Sequence, residues 1–76
     1  MPELPRPSGK EMVKFLEGQG WVVLRISGSH HVMEGGGRRT VVPVHGNLTM
    51  KIGTLRSILR DAELSPEEFA RLWHGR

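Results

Sequence analysis

The chain has 76 residues, no cysteine and a formal net charge of +3. That length holds one small domain, which buries only about 60% of its unfolded surface. The lack of cysteine excludes disulfides, thiolate metal ligands and a cysteine nucleophile, and it favours a reducing compartment, the cytoplasm. No signal-peptide pattern opens the chain, and no apolar run approaches the ~20 residues of a membrane span.

In chain order, "MPELPRP" carries three prolines and no periodicity, so residues 1–7 read as a flexible lead-in. Ser8 opens a helix, with Glu11 three positions later completing a capping box. Met12, Phe15 and Leu16 give that helix its buried stripe, and Gly18 and Gly20 end it. "WVVLRIS" follows as a strand, with Val22, Leu24 and Ile26 expected on one face and Trp21, Val23, Arg25 and Ser27 on the other. Gly28-Ser29 makes a turn, "HHVME" a second strand, "GGG" at 35–37 a hairpin loop and "RRTVVPV" a third strand. Pro43 cannot donate to a ladder, so the third strand lies at an edge or ends there. A loop from His45 to Gly53 leads to "TLRSILRDAEL", where Leu55, Ile58, Leu59 and Ala62 form an amphipathic face. Ser65-Pro66-Glu67-Glu68 then starts a short helix that docks through Phe69, Leu72 and Trp73. The expected fold is α+β: α-β-β-β-α, a three-stranded antiparallel sheet with helices on one face, and an extra C-terminal helix.

The charge is polarised. From Arg25 to Arg60 the basic residues are Arg25, Arg38, Arg39, Lys51, Arg56 and Arg60, against the single acid Glu34. From Asp61 the balance turns acidic, with Asp61, Glu63, Glu67 and Glu68 against Arg71 and Arg76. A basic middle suits a polyanion, and it also suits a solvated basic face.

His30 and His31 raise three possibilities: a metal site, a catalytic site, or ordinary polar residues on a sheet. Neighbours on a strand point to opposite faces, so the two histidines do not readily share one ion. Neither His-x-His nor HExxH spacing is present, so no metal is expected. One histidine packs within the fold while the other meets a partner, and Val32 and Met33 compete for the inward position. An imidazole exchanges protons near neutral pH, and RNA cleavage by transesterification needs removal of the 2′-hydroxyl proton and stabilisation of the phosphorane. Arginines beside the histidine would hold the RNA backbone. Gly53 and Thr54 at a helix start, with Lys51 before them, make a phosphate cradle, or simply a capped helix. Arg56 and Arg60 continue that track on one helix face.

"GQGWVVLRISGSHHVM", "TVVPVHGN" and "MKIGTLRSILRDAEL" together resemble the HicA (YcfA-like) family of mRNA interferase toxins, over roughly three-quarters of the chain, from about Lys10 to Leu64. The motifs are Gly28-Ser29-His30, Pro43-Val44-His45 and the Gly-Thr-Leu-Arg-Ser-Ile run that begins at Gly53. The resemblance implies a double-stranded-RNA-binding-domain-like fold. It also implies a toxin that cleaves mRNA without a cofactor and a HicB-type antitoxin that covers its active site. The family's catalytic histidine corresponds to His30, presented by Gly28 and Ser29, while His45 is open between phosphate contact and loop structure. Candidate RNA contacts are Arg25, Arg38, Arg39, His45, Lys51, Gly53, Thr54 and Arg56. On this reading residues 8–64 are the HicA-like domain and 65–76 an appended helix. The alternatives are a non-catalytic double-stranded-RNA-binding module and a domain that binds only protein.

Overall fold

The structure, a computed structural model, describes residues 4–75 in the order α1 (Gly9–Gly18), β1 (Val22–Ser27), β2 (His30–Gly35), β3 (Arg38–Pro43), α2 (Ile52–Asp61) and α3 (Pro66–His74). Helix α1 begins where the capping box places it. The Glu11 amide donates to Ser8 Oγ at 3.2 Å and the Ser8 amide donates to Glu11 Oε1 at 2.9 Å. The helix ends in a Schellman arrangement: Gly20 takes φ 94°, its N–H donates to Glu17 O, and the Trp21 N–H donates to Leu16 O. Only glycine takes that conformation cheaply, so Gly20 sets where β1 departs.

The three strands form one antiparallel sheet in the order β1-β2-β3, with β3 at an edge as Pro43 requires. Gly28, at φ 59°, turns the first hairpin, and Gly36 and Gly37, at φ 57° and 79°, turn the second. Directly paired residues share a face, so Met33 and Thr40 look toward the helices together with His31 and Val42. Met33 and Val42 are fully buried. Met33 therefore wins the inward position over Val32, and it takes His31, two residues away, with it.

The simple alternation expected for β1 is overturned. Register shifts between Val23 and Arg25, leaving Leu24 as the extra residue of a β-bulge. Val23 pairs with Met33 and Ile26 with His31 on the helix side, whereas Val22, Arg25 and Ser27 pair with Glu34, Val32 and His30 on the open side. Without the bulge, a strand that buries Val23 would also turn Arg25 inward. The bulge lets a buried valine and an exposed arginine stand two positions apart.

The core lies between the sheet and the helices, built from Met12, Phe15, Leu16, Met33, Val42, Leu55, Ile58, Leu59 and Phe69. Trp21 closes one end over Gly35, where a Cβ would come within 2.5 Å of the indole. The one polar side chain buried on β3, Thr40, donates to Asp61 Oδ2 at 2.9 Å and so ties β3 to the end of α2. Helix α3 starts with a second capping box, from Ser65 and Glu68. Phe69 is fully buried and meets Phe15 edge-on at 5.0 Å, with Trp73 tilted against both rings.

Of the proline-rich lead-in, residues 1–3 lie outside the described residues. From Leu4 to Pro7 the chain runs against the domain: Pro7 is buried, the Met50 N–H donates to Pro7 O at 2.9 Å, and Arg6 donates to Met50 O at 3.1 Å. The start of α1 presses on the end of β3, where a Cβ on Gly9 would fall 2.0 Å from Pro43 O. The observed α-β-β-β-α order, with an antiparallel sheet covered by helices on one face and a third helix added, is that of a double-stranded-RNA-binding domain. No helix among the described residues is long and apolar enough to cross a membrane.

Candidate functional site

The first hairpin decides the fate of the two histidines. A two-residue turn at Gly28-Ser29 starts β2 at His30, so pairing sets His30 between Ser27 and Pro43 on the open face and His31 between Ile26 and Val42 on the helix side. His30 is exposed, and its imidazole has no hydrogen-bond or ion-pair partner among the described residues. His31 is half-buried, and its Nδ1 is buried with no hydrogen-bond partner. One imidazole is thus exposed and unpaired among the described residues, and the other belongs to the packing.

The turn that presents His30 is pinned from the next strand but one: the Val44 N–H donates to Ser29 O at 2.7 Å. That bond carries the chain past Pro43 to His45, where a second turn forms, with Leu48 N–H donating to His45 O at 3.1 Å and Gly46 at φ 56°. His45 then lines a concave pocket of about 320 Å³ with Pro43, Leu48, Thr49, Met50, Lys51 and Thr54. Lys51 is the N-cap of α2 and its side chain makes no capping bond, so the first amides of α2 have no side-chain acceptor. The helix starts at Ile52, just before the Gly53-Thr54 expected. Thr54 faces the pocket, while Gly53 is exposed beside it.

The basic residues divide. On the open face the row next to His30 is Arg25–Val32–Val41, and the row beyond is Val22–Glu34–Arg39. Arg25 stands one row from His30 and has no ion-pair partner among the described residues. Arg39 is about 14 Å from the His30 row, four residues of strand at ~3.4 Å each, and it donates to Glu34 Oε2 at 3.3 Å. Arg38 pairs with Gly35 on the helix side and forms an ion pair with Glu63. Arg56 is exposed on α2 and borders a shallow hollow with Leu59, Arg60, Leu64 and Pro66, a hollow that no histidine lines. The structure therefore places Gly28, Ser29, His30 and Arg25 at one end of the open face, and His45, Lys51 and Thr54 around a pocket that also includes Pro43, the residue paired with His30. It leaves Arg38, Arg39 and Arg56 outside both groups.

Sequence reasoning missed the pocket walls, above all Leu48, which is 70% exposed. An isolated leucine in a polar loop of threonine, asparagine and glycine was the available signal. Among the described residues no three histidine, aspartate or glutamate side chains come together as a metal site would need.

Fold and site together define a small basic α+β domain, with a fold like that of double-stranded-RNA-binding domains, that displays an unpaired histidine at a sheet hairpin. A sequence model of the family described as the HicA toxin of bacterial toxin–antitoxin systems matches residues 9–64, about three-quarters of the chain, and the chain belongs to that family. The matched stretch spans α1 through α2 and contains every residue of the site, whereas α3 lies beyond it. An antitoxin partner follows from membership of that family. No curated protein matches the chain.

Proposed function

We propose that this chain is the toxin of a type II toxin–antitoxin pair, an endoribonuclease that cleaves mRNA in the cytoplasm with His30 as its general acid/base. The observation that carries the reading is the unpaired, exposed imidazole of His30, held at a pinned turn on the open sheet face within the family match. In transesterification the 2′-oxygen of the RNA attacks the adjacent phosphorus once its proton is removed. A positioned imidazole taking that proton contributes about 10² to 10⁴-fold. Arg25, one row away, faces the charge that grows on the phosphorane. Lys51, His45 and Thr54 extend the contact surface for the neighbouring phosphates, with Gly53 allowing close approach at the start of α2. No metal or cofactor takes part in this scheme. Residues 8–64 make the catalytic unit and 65–76 an appended helix. A HicB-type antitoxin silences the toxin by covering the open face.

The purified chain should cut a single-stranded oligoribonucleotide, and His30→Gln should lose at least about 100-fold of that rate while melting at the wild-type temperature. A second reading has the fold in its favour: a module that binds double-stranded RNA through shape and phosphates without cutting it. That reading requires RNA binding by both proteins, cleavage by neither, and no change on His30→Gln.

A further inference from the structure

We infer that His45 is the second proton-transfer group of this site, the acid that protonates the leaving 5′-oxygen while His30 takes the 2′-proton. The inference rests on the RNA-cleaving reading above and adds to it a catalytic residue with a defined role. The chemistry demands two proton movements. The O2′–P bond forms as the 2′-hydroxyl proton passes to His30, and the P–O5′ bond breaks as the 5′-oxygen receives a proton. The products are a 2′,3′-cyclic phosphate and a 5′-hydroxyl end, and exchange with water restores both imidazoles. In an in-line displacement the attacking and leaving oxygens lie on opposite sides of phosphorus, so one fixed imidazole serves one of them well and the other badly.

The placement of the histidines selects the donor. His31 is turned to the helix side, and His74 ends α3, the helix that packs on Phe15 of α1. His45 is exposed, its imidazole has no hydrogen-bond or ion-pair partner among the described residues, and it stands two residues after Pro43, the residue directly opposite His30. Paired Cα atoms across an antiparallel ladder are about 5 Å apart, and two further residues of extended chain add about 7 Å. Taken at right angles these put the two Cα atoms about 9 Å apart, close enough for both side chains to reach one phosphodiester between them. The bond from Val44 N–H to Ser29 O, at 2.7 Å, locks that offset because it joins the residue before each histidine.

The pocket supplies the second, independent argument. His45 stands in a concavity of about 320 Å³ whose walls are mixed: Pro43, Leu48 and Met50 are apolar, while Lys51, Thr49 and Thr54 are donors. A nucleoside on the leaving side of the scissile phosphate fits this mixture, its base against the apolar wall and its next phosphate toward Lys51. Leu48 then has a reason to be exposed.

A substrate whose leaving atom needs no proton tests the role. In an oligoribonucleotide with a single 5′-bridging phosphorothiolate, sulfur departs as a thiolate without an acid. Wild type should cleave both the oxygen-linked and the sulfur-linked strand. His45→Gln should cut the oxygen-linked strand about 10² to 10⁴-fold more slowly and recover most of that loss on the sulfur-linked strand. His30→Gln should be slow on both. Equal losses on both strands for His45→Gln, or no loss at all, would overturn the role of His45 and leave the RNA-cleaving reading standing. Failure of folded wild type to cut either strand would instead overturn that reading itself. Thermal melting of each variant separates loss of a proton donor from loss of fold.

Discussion

His30 and His31 are chemically identical neighbours with opposite fates, and Met33 decides between them. Burying Met33 turns His31 inward by the two-residue period of a strand, leaving Nδ1 buried and unpartnered beside Val42. A buried polar atom without a partner costs free energy that an apolar group of similar shape does not. His31→Leu should therefore stabilise the fold by up to about 1 kcal/mol, read by urea denaturation, and leave RNA cleavage intact. A loss of stability in that variant would mean that the imidazole is held by something other than packing. The same parity argument was available from the sequence only as a choice between two faces. Val32 and Met33 are both apolar, and nothing in the strand itself ranks them.

At the scale of elements, the capping box at Ser8, the N-cap at Ser65, the glycine stop of α1 and the glycine hairpin loop after β2 were legible because each is a local rule about a few neighbouring residues. The bulge at Leu24 was not legible, since it depends on which residues of β2 sit opposite, a long-range fact. The pocket escaped for the same reason: its walls come from the end of β3, the following loop and the first turn of α2. Helix α3 lies outside the family match yet sets Phe69 into the core against Phe15. Phe69→Ala should cost about 3–5 kcal/mol, a large share of the roughly 5–15 kcal/mol that holds a small domain together. Denaturant titration measures this directly. A loss below about 1 kcal/mol would show that α1, the sheet and α2 are stable by themselves, with α3 a dispensable addition.

Across the whole molecule, charge follows topology more than sequence order. The basic middle segment looks uniform along the chain, but folding pairs Arg38 with Glu63 and Arg39 with Glu34, and turns Arg56 toward α3. Arg25, one row from His30, and Lys51, in the pocket with His45, have no ion-pair partner among the described residues. RNA binding, measured on a His30→Gln protein that does not cut, should weaken steeply with salt. Arg25→Gln and Lys51→Gln should each lower the salt slope by about 1, whereas Arg38→Gln should leave it unchanged. Equal effects from all three would indicate a diffuse basic surface in place of a localised track.

The central proposal is that His30 makes this member of the HicA toxin family a ribonuclease. The most direct test is induced expression of wild type and His30→Gln at matched protein levels, with primer extension on cellular mRNA. Growth arrest and new mRNA ends from wild type alone are the expected result. Equal arrest from both proteins, or arrest without new RNA ends, would contradict it.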